Sequence, residues 1–265
     1  MNDDVDFSIS QFGDAWRLMC GASPGHVIER KKDVDYVFSG LPIPFFNVAL
    51  VTAREVSRDA LGTLGRDAAK WSAGTAVPWM LIVTHEALAP GVDAASVLET
   101  SGLIPLIPMT GMRARQLAPS TRAANGLALE VSADDVSCEA IFDVNSAAYG
   151  MPLDACKPTY GKRSFWASHV PAIGRVDGMP VASAAVFMVA GYRYVALVAT
   201  LPDRQRRGYA EAVMRHALEV AAANHGDRPT TLHATDAGRP VYERMGYEPI
   251  ATNTAFIHTR FLEGH

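Results

Sequence analysis

Apolar positions along this chain recur with two different periods, and the clearest change of period falls near residue 200. Ala210, Val213, Met214, Ala217, Leu218 and Ala221 stand at i, i+3, i+4, i+7, i+8 and i+11, one face of a helix, and predict a helix over about 207–224. Ahead of it, Ala182–Val189 and Tyr194–Thr200 are short apolar runs rich in β-branched and aromatic residues, separated by Ala190-Gly191, and read as two strands. Pro180 to Pro202 as a whole is long and apolar enough to be weighed as a membrane span, yet Gly191, Tyr192, Arg193 and Tyr194 interrupt its middle. Two strands account for it better, and no membrane partner is expected.

Read onward, the C-terminal half runs strand, strand, long helix, strand, short helix, strand, at about 180–189, 193–200, 207–224, 230–235, 238–245 and 248–258. A strand near Leu127–Val131 and helices over about 134–148 and 152–167 precede them. The N-terminal half repeats part of this order, with strands near Val34–Phe38 and Phe46–Thr52, a helix over about 55–73, a strand at Trp79–Thr84, a helix near 93–101 and a strand at 103–109. Fragments correspond as well. Val48-Ala-Leu-Val-Thr52 is similar to Val195-Ala-Leu-Val-Ala199, and Glu99-Thr-Ser-Gly-Leu-Ile-Pro-Leu106 keeps the Glu, Gly, Pro and closing aliphatic of Glu243-Arg-Met-Gly-Tyr-Glu-Pro-Ile250. Short apolar strands coincide by chance, but the octapeptide in equivalent context favours duplication. Residues 113–126, with Arg113, Arg115 and Pro119, read as the linker.

Composition narrows the class. A chain of 265 residues has room for about two domains. A net charge of −4 supplies no basic excess for a nucleic-acid backbone, so no nucleic acid is expected as a partner. Three cysteines, Cys20, Cys138 and Cys156, lie far apart, which suits reduced thiols in a cytoplasmic protein. The acidic start, Met-Asn-Asp-Asp-Val-Asp, is the opposite of a signal peptide's basic n-region. No zinc-type cysteine spacing, helical His pair or Walker loop occurs, so no metal is expected.

Chemistry concentrates where the strand meets the long helix, in Gln205-Arg-Arg-Gly-Tyr-Ala210. Glycine there lets backbone N–H groups approach a ligand, and a helix start offers unpaired N–H groups and the positive end of the dipole. Arg204, Arg206 and Arg207 add charge, so the segment suits a pyrophosphate, although a solvated cap explains six such residues too. A second segment, His233-Ala-Thr-Asp-Ala-Gly-Arg-Pro-Val-Tyr-Glu-Arg-Met-Gly-Tyr247, has Pro240 suited to a helix start and Gly246 to its end. In order and pattern the two segments resemble the motifs of the GNAT superfamily of N-acetyltransferases. The first meets Arg/Gln-x-x-Gly-x-Gly/Ala at Gln205, Gly208 and Ala210, and the second is similar to the later Tyr-Glu helix ended by Gly-Tyr.

The resemblance implies an α/β fold (an α+β mixed sheet, mostly antiparallel and flanked by helices) in two tandem GNAT-like domains. Residues 1–112 would form a degenerate copy, because Ala53–Ala60 has no glycine and Leu98 stands where Tyr242 does, and 127–265 the active one. It further implies acetyl-CoA as cosubstrate and transfer to the amine of a small molecule or amino-acid-like acceptor. A non-catalytic coenzyme A-binding or sensing module, and a protein lysine or N-terminal acetyltransferase, are the alternatives, and a homodimer is an open option. Coenzyme binding would fall to Val198 and Thr200 through their backbone and to Gln205, Arg206, Arg207, Gly208, Tyr209 and Ala210 through the loop, with Tyr242 as general acid. Val195–Ala199 carries no acidic residue, which leaves His233 or Asp236 as candidates for the base. Tyr149 and Trp166 mark the expected acceptor site, where the aromatics of 149–166 either cradle a substrate or pack on the sheet.

Overall fold

A computed structural model describes residues 2–262. The chain opens with α1 (Asn2–Gly21), β1 (Val27–Arg30), β2 (Val34–Phe38), β3 (Asn47–Val51), α2 (Arg58–Trp71), β4 (Met80–Thr84), α3 (Ala94–Leu98) and β5 (Leu103–Ala114). Next come β6 (Ala128–Val131), α4 (Asp135–Tyr149), α5 (Lys157–Tyr160), β7 (Val170–Val176), β8 (Met179–Val189) and β9 (Tyr192–Thr200). The last elements are α6 (Tyr209–His225), β10 (Thr230–Thr235), α7 (Arg239–Arg244) and β11 (Glu248–His258). The fold is mixed α/β with mostly antiparallel pairing.

Helix α1 and strands β1 and β7 lie outside the elements expected from the pattern. In α1 the buried Val5, Ile9, Phe12, Trp16 and Met19 do keep helical spacing. Strand β7 was hidden by Pro171 and Gly174, both poor strand formers. The helix expected over 152–167 is broken into turns at Leu153–Cys156, Lys157–Tyr160 and Arg163–Trp166. Gly161 follows the second of these turns, where only glycine fits: a Cβ there would meet the Glu139 side chain and the Lys157 carbonyl, each at 2.6 Å.

Two compact units divide the chain. The first gathers residues up to Met112, the short segment His233–Ala237 and the chain from Pro249 on; the second holds Arg113–Leu232 and Gly238–Glu248. The C-terminal strand therefore lies with the first unit, whereas the sequence suggested continuous domains. Strand β11 pairs antiparallel with β4 from Asn253↔Thr84 to Ile257↔Met80, and the Thr259 amide donates to Gly102 O at 2.8 Å.

In the first unit the strand order is β1-β2-β3-β4-β11-β5, with β3 and β4 parallel. Tyr36, Ala49, Leu81, Val83 and Phe256 face α2 and α3 through Leu61 and Leu98. Leu50 points the other way, since side chains alternate along a strand, and it meets α1 at Gly13, where a Cβ would come within 3.2 Å.

The second unit has the order β10-β9-β8-β7-β6. Gly174 of β7 pairs with Ala182 of β8, and its α-carbon faces Val213 of α6. The next residue of β8, Ser183, points to the opposite face and meets Asn145 of α4 at 2.9 Å. Helices α4 and α6 thus cover opposite faces. Both units share a parallel strand pair before a helix, and Gly102 and Gly246, the matched glycines of the octapeptides, are both left-handed (φ +71° and +93°).

Candidate functional site

After β9 the chain turns at Pro202–Arg204, and the Gln205 side chain donates from Nε2 to Thr200 O at 3.5 Å. Arg206 (φ +62°) and Gly208 (φ +79°) both take the left-handed conformation, which costs a residue with a Cβ about 1–2 kcal/mol. The loop thereby arches over the start of α6, whose N-cap, Gly208, has no side chain to bond the first turn. The first bond of the helix runs from Ala212 N to Gly208 O (3.0 Å), so the amides ahead of Ala212 have no partner within it. These amides, the helix dipole and the exposed Arg206 and Arg207 form an anion cradle. Arg204 is held by Asp203 at 3.1 Å, Tyr209 is buried, and Ala210 leaves the helix start unobstructed by a long side chain.

The corresponding helix of the first unit is closed. Ser57 caps α2 by accepting from the Ala60 amide (3.3 Å), and Val56 is stitched to the chain after β4 through bonds with Ala87 O and the Ala89 amide.

The segment read as a linker is packed against the cradle. Arg122 and Ala123 lie within 3.7 Å of where a Gly208 Cβ would stand, and the Tyr209 hydroxyl donates to Asn125 O at 3.4 Å. Arg215 donates to Ala118 O (2.8 Å) and pairs with Glu211 (2.8 Å), a carboxylate 4% exposed in the first turn of α6. Nothing in the composition of 113–126 signalled this role, because it depends on where α6 places its partners.

Strand β9 carries an irregularity. It pairs with β8 at Ser183↔Ala199 and Ala185↔Ala196, and between them Leu197 adopts φ +53°. Asn145, 1% exposed on α4, holds this bulge: its amide donates to Ser183 Oγ at 2.9 Å and to Leu197 O at 3.3 Å, and Ser183 Oγ donates to Leu197 O at 2.9 Å. A polar residue on the apolar face of a helix was the available signal. The parallel register with β10 covers Arg193 and Tyr194, while Ala196, Leu197 and Val198 are partly exposed between buried neighbours. Val198 O accepts from the Tyr149 hydroxyl at 2.8 Å. Thr200 is 9% exposed and its buried hydroxyl has no hydrogen-bond partner.

Tyr242 projects from the short α7 against Tyr247, with ring centroids 6.0 Å apart, and Gly238 leaves it room, since a Cβ there would come 3.0 Å from the ring. Burial raises its phenol pKa, with Tyr149 and Tyr247 adding to the effect. Trp166 corrects its expected role. It is fully buried, its indole N–H donates to Tyr160 O at 2.7 Å, and its ring packs on Phe165 and Phe187. It is core, whereas Tyr149 is half-exposed.

His233 and Asp236 belong to the first unit, apart from Tyr242. His233 sits edge-on to Phe12 and bonds Ser8 Oγ through Nε2 at 3.1 Å, and burial pushes its pKa down to about 3. The three cysteines are buried, and burial raises Cys138 to about 11 and Cys156 to about 12. Among the described residues no group of His, Cys, Asp or Glu is placed to hold a metal, and no helix is long and apolar enough to cross a membrane.

The second unit thus joins a bulged strand to an uncapped, glycine-led helix start. Residues 175–263, which contain the bulge, the loop and Tyr242, match the model of the acetyltransferase (GNAT) domain. Solved structures share its fold over nearly the whole length. A GCN5-related N-acetyltransferase from Kribbella flavida is 22% identical, with 96% of this chain and 95% of that one covered at a TM-score of 0.66. One from Sphaerobacter thermophilus is 16% identical, covering 94% and 91% at 0.61. A tandem GNAT protein from the clavulanic acid biosynthesis pathway is 11% identical, covering 94% of each chain at 0.55. No curated protein matches the sequence.

Proposed function

We propose that the second unit is an acyl-CoA-dependent N-acyltransferase that moves an acetyl group from acetyl-CoA to the amine of a small molecule or amino-acid-like acceptor. The uncapped start of α6 carries this reading: Gly208 opens it, two left-handed residues shape the loop, and arginines surround it. In this reading the loop amides from Gln205 to Ala210 hold the pyrophosphate, and the backbone of Val198 and Thr200 pairs with the pantetheine arm like an added strand. The amine attacks the thioester carbonyl, the C–N bond forms, and the C–S bond breaks. Tyr242 keeps its proton at neutral pH because its pKa is raised, and a free thiol titrates near about 8.5. It therefore stabilises the leaving sulfur by donating a hydrogen bond and relays to it the proton that the attacking nitrogen loses.

The first unit is then a degenerate copy, a reading supported by Ser57 capping α2 with its own hydroxyl and by Val56 bridging to Leu88. Buried thiols at Cys138 and Cys156 are in keeping with a cytoplasmic setting. A second reading, a coenzyme-binding module without turnover, is favoured by β9 itself, which carries no acidic side chain to serve as base. Titration with acetyl-CoA, followed by thiol release across a panel of amines, tests both. Thiol release with at least one amine supports the enzyme; tight binding without release on any amine would sink it and leave the module.

A further inference from the structure

Helix α4 ends at Tyr149 because Gly150 takes a left-handed C-cap (φ 64°) and returns its amide to Ser146 O. One turn earlier, Asn145 fastens the helix to the bulge of β9. Tyr149 is thereby set over the next residue of the bulge, with its hydroxyl 2.8 Å from Val198 O. The two carbonyls are served differently. Leu197 O is bonded from the interior by Asn145 and Ser183, fixed elements of the sheet and helix. Val198 O is bonded instead by the hydroxyl of Tyr149, the last residue of α4 and 49% exposed.

We infer that Tyr149 is a displaceable plug of the pantetheine groove, occupying the Val198 carbonyl until the acyl-CoA arm replaces it. This rests on the acyl-CoA reading above, in which Val198 pairs with that arm. In that reading a pantetheine amide takes Val198 O, the acceptor that the Tyr149 hydroxyl holds at 2.8 Å, so the two donors compete for one position. Binding of the arm therefore displaces the Tyr149 hydroxyl, and Tyr149 sets access for the acyl donor.

Two ligands separate the plug from the phosphate site: coenzyme A, and adenosine 3′,5′-bisphosphate, which lacks the pantetheine arm. Calorimetric titration of the full chain is carried out with each, on the native protein and on Tyr149→Phe, which removes one hydroxyl, with circular dichroism to confirm folding. Loss of one competing hydrogen bond corresponds to about a three- to tenfold gain in affinity. Coenzyme A should bind Tyr149→Phe tighter by that factor, while the bisphosphate binds both proteins equally. Tyr149→Leu, which also removes the ring's polar tip, should show the same split if Tyr149→Phe proves unstable. Unchanged or weaker coenzyme A binding would overturn the plug, and so would an equal gain for both ligands, since the effect would then not lie in the groove. Failure of the native protein to bind either ligand would overturn the acyl-CoA reading and the plug together.

Discussion

Acidification should destabilise this protein through one buried histidine. His233 is pressed against Phe12 and bonded to Ser8, and burial pushes its pKa from 6.5 to about 3. The unfolded chain accepts a proton there as the pH falls below its ordinary value, while the folded chain refuses it until about pH 3. Stability from the neutral buried ring is thus fully present above pH 6.5 and is lost progressively between pH 6.5 and 3. At pH 5 the medium stands about 1.5 pH units below the unfolded value. At about 1.4 kcal/mol per unit, folding loses about 2 kcal/mol relative to pH 7.5. The assay is urea unfolding at pH 7.5 and 5.0 for the native protein and His233→Gln. The variant loses about 1 kcal/mol at pH 7.5 with the Ser8 bond, but its drop between the two pH values should be smaller than the native one by about 2 kcal/mol. His169 and His258, also lowered by burial, are present in both proteins and cancel in the comparison. Equal drops in the two proteins would refute the assignment. The same residue cannot serve as a base that titrates near neutrality.

Gly208→Asp puts a carboxylate and a Cβ into the anion cradle, and should weaken coenzyme A binding by about a hundredfold or more, near 3 kcal/mol, while circular dichroism shows an intact fold. Retained affinity would remove the loop from the binding site. Tyr242→Phe should lower kcat about 10²- to 10⁴-fold with coenzyme affinity unchanged, and stopped-flow thiol release checks this; an undiminished kcat rules out its role at the sulfur. Trp166→Ala should cost about 3–5 kcal/mol of stability by thermal or urea melting, because it empties a fully buried site. A specific rise in acceptor KM without that loss would return Trp166 to the acceptor site.

The parts of the fold that were legible are those whose burial is governed by local repetition. Helix α6 shows one apolar face at helical spacing, while β2, β4, β8 and β9 are short apolar runs buried along most or all of their length, so local pattern and composition reveal them. The glycine at the start of α6 was legible for a related reason: a left-handed residue at a helix start selects glycine, and Gly208 stands there. Tyr149 was legible as a residue near the site but not as the partner of Val198, and Trp166 carries the same aromatic signal from inside the core. Aromatic character states how much surface a side chain offers, not which side of the sheet receives it.

By itself, then, the sequence determined most of the strands, the long helix α6, the glycine at its start and the tyrosine helix, because each depends on neighbours a few residues apart. The tertiary structure alone decided that β11 pairs with β4, that Arg122, Ala123 and Asn125 flank the loop, and that Asn145 holds the bulge from 52 residues away. It also decided that His233 is a neutral core residue bonded to Ser8 across 225 residues of chain. Those choices rest on hydrogen bonds and burial between segments distant along the chain, and no local period encodes which distant group will be there.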